Sequence, residues 1–327
     1  MSERDPTAVL APGWPDGLLD VFERSITCEY ASLTRGGAPI TIPTTPYVGN
    51  GTLDVSTGLT YPAKAERARR NGKVALLFAD PIGAGHGPSP VVLVQGHAAV
   101  RDADLQANTD RYARVAAEKL PEATKGQPKF LLRRFAFYYA RMWIEITPLR
   151  IRRWADRDLA TQPYEWRLEP APQLPSSDPE PPGRQPPPWK DVSPDWREQT
   201  ARALRELPLA DLTAVDSDGY PVCVPVSAGP LVGDELAPAL PEGPACLTVH
   251  GHDESFTSQE NHTLVGSLSN DSGAAKLHVE RALANWSITG SRAKIAIDFL
   301  RNGRRLAPRL KAEAARRGQP VPRVNLP

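Results

Sequence analysis

The chain has 327 residues, 40% of them hydrophobic, which is enough for two ordinary domain cores. A formal net charge of +1 provides no overall field to attract nucleic acid or an anionic membrane surface. Three widely spaced cysteines, Cys28, Cys223 and Cys246, form no CxxC pair and read as buried free thiols of a reducing compartment.

No apolar leader follows Met1, and no apolar run approaches the roughly 20 residues of a membrane helix, so the sequence reads as cytoplasmic. Helical spacing of apolar positions runs from Asp16, a candidate N-cap, to Arg24. Strands then dominate. Ala31-Ser-Leu-Thr-Arg-Gly-Gly37-Ala-Pro39-Ile-Thr-Ile-Pro43 predicts a hairpin of strands Glu29–Thr34 and Ala38–Val48 around a glycine turn. Gly49-Asn-Gly51 turns into a strand Thr52–Thr57. Pro62 opens a helix Ala63–Arg70 that stops at Asn71-Gly72, and Lys73–Ala79 is an unbroken apolar strand.

Past the loop Gly83–Pro90 comes the strand Val91–Val100, in which Gly96 marks a bulge or a close approach. Helical patterns over Ala103–Lys119 and Lys129–Arg141 follow, and a strand through Trp143–Trp154 closes the first half. Six strands without regular βαβ alternation predict a small closed or split barrel, in a mainly β, α+β protein.

Eleven of the 35 prolines fall between Pro163 and Pro194, which predicts an extended linker. Its Trp166, Trp189 and Trp196 argue for a segment strapped across a surface. After a helix Asp195–Leu207, the hairpin template returns as Leu212-Thr-Ala-Val-Asp-Ser-Asp-Gly219-Tyr-Pro221-Val-Cys-Val-Pro225. Strands Pro244–His250, Thr263–Ser269 and Leu277–Ile288 then repeat the order of the first half, without counterparts of its helix Ala63–Arg70 or its outer helices. Duplication followed by loss is the simplest account. A basic stretch, Arg301–Arg323, ends the chain, with a helix over Arg309–Arg317. The expected division is a barrel over 14–156, a proline-rich linker over 157–194, a reduced barrel-like domain over 195–308 and a basic tail over 309–327.

The strongest chemical constellation is Ser56-Thr57-Gly-Leu-Thr60-Tyr-Pro-Ala-Lys64. A strand ends in hydroxyls and a helix opens with a lysine, so free amides, dipole and ammonium all favour an anion there. The competing reading makes Lys64, Arg67, Arg69 and Arg70 the wet face of a surface helix. His250-Gly-His252 with His262 matches no known metal-ligand spacing, and no metal is assigned. His86, in the glycine-rich loop, reads as solvent-exposed. No GxSxG elbow or spaced carboxylate pair points to hydrolysis, and no catalytic residue is assigned.

Gly37-x-Pro39-x-x-x-Pro43, Leu53-x-Val55-Ser56-Thr57 with Ala63-Lys64, Asn71-Gly-Lys-Val-Ala-Leu-Leu-Phe, Val94-Gln95-Gly96 and Pro148-x-x-Ile151-x-x-Trp154 together resemble the FMN-binding split-barrel proteins. That group contains pyridoxamine 5′-phosphate oxidase and the deazaflavin-dependent reductases. The resemblance covers the first half, and the second half resembles a degenerate copy. It implies a flavoprotein oxidoreductase that acts on a small-molecule substrate and holds FMN, with a deazaflavin coenzyme or haem as alternatives. Carried over, the phosphate falls to Ser56, Thr57 and Lys64, the ring to the second strand at Thr41, Pro43 and Thr44, and the ring edge to Gln95. The oxidase's strand arginine is Thr41 here and its Arg-Lys pair is Ala63-Lys64, so a general flavin or deazaflavin site is expected in place of vitamin B6 oxidation. Such barrels dimerise with the cofactor at the seam. The second half is therefore expected to cap the first as an intrachain pseudo-dimer with one phosphate site, alone or within a homodimer.

Overall fold

The computed structural model describes residues 14–15, 17–82, 90–124, 132, 134–157, 159, 161–170, 172–188, 190–226, 240–271, 274–284 and 287–326. The first half builds β1 (Cys28–Leu33), β2 (Pro39–Thr44), β3 (Pro46–Val48), β4 (Leu53–Gly58), β5 (Lys73–Phe78), β6 (Val91–Arg101) and β7 (Arg141–Trp154) into one antiparallel sheet. Its order is β2-β1-β5-β6-β7-β4-β3, with β8 (Tyr164–Arg167) added to β7. Only Thr45 separates β2 from β3, yet these strands are the two ends of that order. One residue reaches about 3.5 Å, so the sheet must curl until its edges nearly meet. The result is a split barrel. The predicted strand Ala38–Val48 breaks at Thr45 because Pro46 brings no ladder donor.

Helices cover the outside. In α1 (Leu18–Arg24) the N-cap is Gly17, at φ 77°, while the expected cap Asp16 lies outside the described residues. Ala65 and Ala68 of α2 (Ala63–Arg70) face the barrel. Asp104 caps α3 (Leu105–Lys119), accepting from the Ala107 amide at 2.9 Å. A short α4 (Pro121–Thr124) follows. Of the predicted helix Lys129–Arg141, the described part is a single turn, α5 (Ala136–Tyr139), and Arg141 already begins β7.

The second half contains α6 (Trp196–Glu206), β9 (Leu209–Val215), β10 (Pro221–Val226), β11 (Gly243–His252), β12 (Gln259–Asp271) and β13 (Ala274–Ala282). Its sheet order, β10-β9-β11-β12-β13, matches β2-β1-β5-β6-β7 of the first. The registers match as well: Pro39 faces Leu33 and Pro43 faces Glu29, while Pro221 faces Val215 and Pro225 faces Asp211. Each sheet has a bulge at the same place, at Gln95/Gly96 against β7 and at Val265/Gly266 against β13. A Cβ on Gly96 would run into the Thr147 carbonyl, and one on Gly266 into the His278 carbonyl, so both positions require glycine. The predicted closing strand Leu277–Ile288 stops at Ala282, and Ile288 makes an isolated bridge to Gln259.

The two sheets pack reciprocally. β2 lies on β9, β11 and β12, and β10 lies on β1, β5 and β6. Ala31, Ala75, Leu77 and Leu93 meet Leu212, Ala214, Cys223 and Leu247 in the shared core. All three cysteines are buried and free.

The proline-rich segment is fastened along the first sheet. The Asp178 carboxylate accepts from the amides of Asp102 and Ala103 at 2.7 and 2.8 Å, and Arg101 donates to the Ser176 carbonyl at 2.6 Å. Trp166 packs on the first core and Trp196 on the second, while Trp189 lies outside the described residues. At the other end, α7 (Arg292–Arg316) runs unbroken across the expected boundary at 308/309. The terminal arginines are not a solvated tail. Arg316 and Arg317 bind Glu66 at 3.0 and 3.2 Å, and Arg317 shares Asp102 with Arg69, each at 2.8 Å. Leu306, Leu310 and Ala314, one turn apart on α7, are buried in the first core, so an apolar stripe docks the helix and the arginines fasten it. Among the described residues no helix is long and apolar enough to cross a membrane.

Candidate functional site at the seam

A cavity of about 260 Å³ opens where the ends of β2 and β4 and the first turn of α2 meet β12 of the other sheet. The first half contributes Ile42, Pro43, Thr44, Ser56, Thr57 and Lys64. Across from them stand Gln259, Asn261 and Thr263 on β12, with Leu283 beyond β13. Strand-end geometry explains the clustering. β4 stops at Gly58, and the tight turn of Tyr61 onto the Gly58 carbonyl (2.8 Å) delivers Pro62 as the cap of α2. Proline has no side-chain acceptor, so the first-turn amides of α2 are left without a side-chain cap.

Two half-buried cations, Lys64 and Arg141, line the cavity, and a third, Arg67, stands close enough to Lys64 to repel its charge. Lys64 places its Nζ 3.3 Å from the Thr44 hydroxyl. Desolvation, reinforced by the Arg141 and Arg67 charges, holds its ammonium down to about 7. Arg67 donates to Ser32 at 2.9 Å, and burial pulls it down to about 10. Arg141, at the start of β7, donates to the Tyr112 hydroxyl at 3.0 Å and lies 4.1 Å over the Tyr112 ring and 4.7 Å over the Tyr138 ring. Among the described residues no carboxylate pairs with any of the three. Arg141 Nε and Tyr47 Oη, both on cavity-lining residues, are buried without a hydrogen-bond acceptor. Desolvation raises the Tyr47 and Tyr112 phenols, so both stay protonated. Positive charge without a carboxylate partner, beside uncapped amides, is an electrostatic arrangement that favours an anion.

Of the residues named from the sequence, Pro43, Thr44, Ser56, Thr57 and Lys64 line this cavity. Thr57 spends its hydroxyl proton on the Tyr61 carbonyl at 2.8 Å and so offers only lone pairs. Thr41 and Gln95 lie elsewhere. Thr41 is buried in the seam with its hydroxyl 2.7 Å from that of Thr213, and its carbonyl accepts from Thr248 at 2.9 Å. Gln95 donates to Asp216 and to the Pro221 carbonyl, each at 2.9 Å, and accepts from Arg150 at 2.6 Å. It joins β6 to the hairpin of the other half. The wet-face reading of α2 fails for two of its arginines: Arg67 donates to Ser32 and Arg69 is held by Asp102, while Arg70 is exposed.

Sequence reasoning missed Arg141, Tyr112, Tyr138 and the β12 residues. The run Phe135-Ala-Phe-Tyr-Tyr-Ala-Arg141 carried a signal, a cation directly after clustered aromatics, but its helical spacing hid the strand start. Nothing local marks Gln259, Asn261 and Thr263, which reach the cavity only through packing of one sheet on the other. The histidines separate from one another. His250 meets Glu29 and Asp211, His252 binds Asp80 at 2.7 Å, and His262 binds Glu260 at 2.9 Å. His86 lies outside the described residues.

No family model matches the chain, and no curated protein does. Solved structures do. A protein from Listeria innocua, provisionally named a pyridoxamine 5′-phosphate oxidase, is 21% identical, with a TM-score of 0.30 over 42% of this chain and 95% of its own. An F420 reductase is 17% identical, with a TM-score of 0.33 over 42% of this chain and 98% of its own. General stress protein 26 from Bacillus anthracis is 15% identical, with a TM-score of 0.29 over 46% of this chain and 98% of its own. Each is a likeness in fold that spans less than half of this chain.

Proposed function

We propose that the chain binds FMN in the seam cavity and acts as a flavin-dependent oxidoreductase on a small-molecule substrate. The observation that carries this reading is the pair of cations, Lys64 and Arg141, lining a cavity with no carboxylate partner among the described residues. Desolvating like charges together is unfavourable, and a phosphate ester removes the penalty. Lys64 and Arg141 would hold the phosphate, aided by the Thr44 and Ser56 hydroxyls. The cavity's apolar walls, Ile42, Pro43, Phe137 and Leu283, suit a flat ring, and the amides of Gln259 and Asn261 suit a ring edge rich in donors and acceptors. Bound flavin supplies the hydride chemistry, while these residues bind, orient and exclude water. Haem fits less well, since no histidine, cysteine or methionine lines the cavity among the described residues.

The second half acts as the built-in partner of the first. β12 closes the cavity that a second copy would otherwise close, so one chain makes one complete site. The test is direct titration of FMN against full-length protein, compared with riboflavin, which lacks the phosphate. Binding of FMN well above riboflavin supports the reading, and equal or absent binding of both refutes it.

A further inference from the structure

A second cluster of ligating groups lies in the seam, and none of its members lines the cavity. Glu29 on β1, Asp211 on β9 and His250 on β11 are each no more than 2% exposed. Glu29 and Asp211 occupy the same position in the two hairpins, each facing the last proline of its template. The reciprocal packing brings these equivalent acids together and sets one imidazole between them. His250 Nε2 lies 2.9 Å from Glu29 Oε1 and 3.3 Å from Asp211 Oδ2. The three donor atoms fall within 4.8 Å of one another.

We propose that Glu29, Asp211 and His250 form a metal site for a divalent transition ion, zinc by ligand type, that fastens the two halves together. The first argument is hydrogen bonding. Glu29 Oε1, Glu29 Oε2 and His250 Nε2 are all buried without an aligned hydrogen-bond partner, despite the short approach. Atoms that converge on a point without aligning along N–H directions are arranged as ligands to a common centre. The second argument is spacing. Tetrahedral zinc with bonds of about 2.0–2.2 Å holds its ligand atoms roughly 3.4 Å apart, which the His250–Asp211 separation of 3.3 Å already matches, while the His250–Glu29 pair at 2.9 Å would open by about half an ångström. The third argument is charge. Two carboxylates with one protonated imidazole leave a net negative charge in a dry seam, whereas two carboxylates, neutral imidazole and a divalent cation sum to zero. A water would complete the coordination shell. With so little exposure, the ion enters as the halves assemble and is not exchanged afterwards.

The test is elemental analysis of full-length protein produced in zinc-supplemented medium and passed over a chelating resin while folded. The proposal predicts about one zinc ion per chain, lost in Glu29→Gln and Asp211→Asn. A second measurement covers variants that fail to fold: wild-type protein produced with cobalt should show the visible absorption bands of a tetrahedral ion. Folded wild-type protein without zinc or cobalt bands overturns the proposal, as does zinc retained undiminished in both variants.

Discussion

Lys64 and Arg141 face one cavity from α2 and β7, and among the described residues neither has a carboxylate to answer its charge. Their mutual repulsion helps to depress the Lys64 ammonium to about 7. Such a pair costs the ligand-free fold stability, which is the basis for the proposal that an anion binds between them.

Removing the charge should therefore separate binding from stability. Lys64→Met is expected to weaken FMN binding by 10- to 100-fold, on the order of 1.5–3 kcal/mol for a charge-assisted contact. The same change should leave ligand-free stability to urea unchanged or raised, because a desolvated cation has been removed. Loss of both binding and stability would make Lys64 an ordinary structural residue.

The depressed Lys64 also fixes a pH dependence. Between about 7 and the usual lysine value near 10.4, the unfolded chain binds more protons at this position than the folded one. The group therefore makes ligand-free stability rise with pH across that window, and Lys119, held down to about 8 by burial, adds in the same direction. An anion favours the ammonium, so binding above about 7 takes up a proton. Sulfate, whose charge is constant here, should bind more weakly at about pH 8.5 than at about pH 6, and Lys64→Met should flatten the difference. Calorimetry in two buffers of different ionisation heat would read the proton uptake directly.

The carboxy-terminal arginines should matter to the fold. Glu66 and Asp102 are buried and held by Arg69, Arg316 and Arg317. Glu66→Ala leaves three desolvated guanidinium groups to share Asp102 and Glu313, one negative charge short, and is expected to cost about 3 kcal/mol in urea unfolding. A loss below about 1 kcal/mol would mean that water already screens the network.

The twin bulges give a matched pair of tests. Gly96→Ala and Gly266→Ala each force a methyl group onto a carbonyl oxygen of the neighbouring strand. Each is expected to lower stability by about 1–3 kcal/mol, as overpacking does. If the halves are one cooperative unit, both variants should still unfold in a single transition by circular dichroism.

Much of this architecture is legible in residue order. The two hairpins announce themselves through Gly-x-Pro-x-x-x-Pro, and Gly96 is a visible bulge signal that the structure pairs with Gly266. Lys64 and its neighbours Ser56 and Thr57 are readable because one short segment carries them all. What is not legible depends on long-range packing. Thr41 sits on a strand that reaches the cavity and Gln95 on one that does not, and their side chains are committed to Thr213 and Asp216 in the other half. Arg141 hides at a helix-to-strand switch. The arginines of the last helix read only as a basic tail because their partners, Glu66 and Asp102, stand more than 200 residues earlier.

The central claim is that an anion belongs between Lys64 and Arg141. Fluorescence titration of FMN into the full-length chain, alongside Lys64→Met and Arg141→Met, weighs that claim most directly. Saturation at about one flavin per chain, with each variant at least about tenfold weaker, is the expected result. Equal affinity across all three proteins, or no saturable uptake by the wild type, would contradict it.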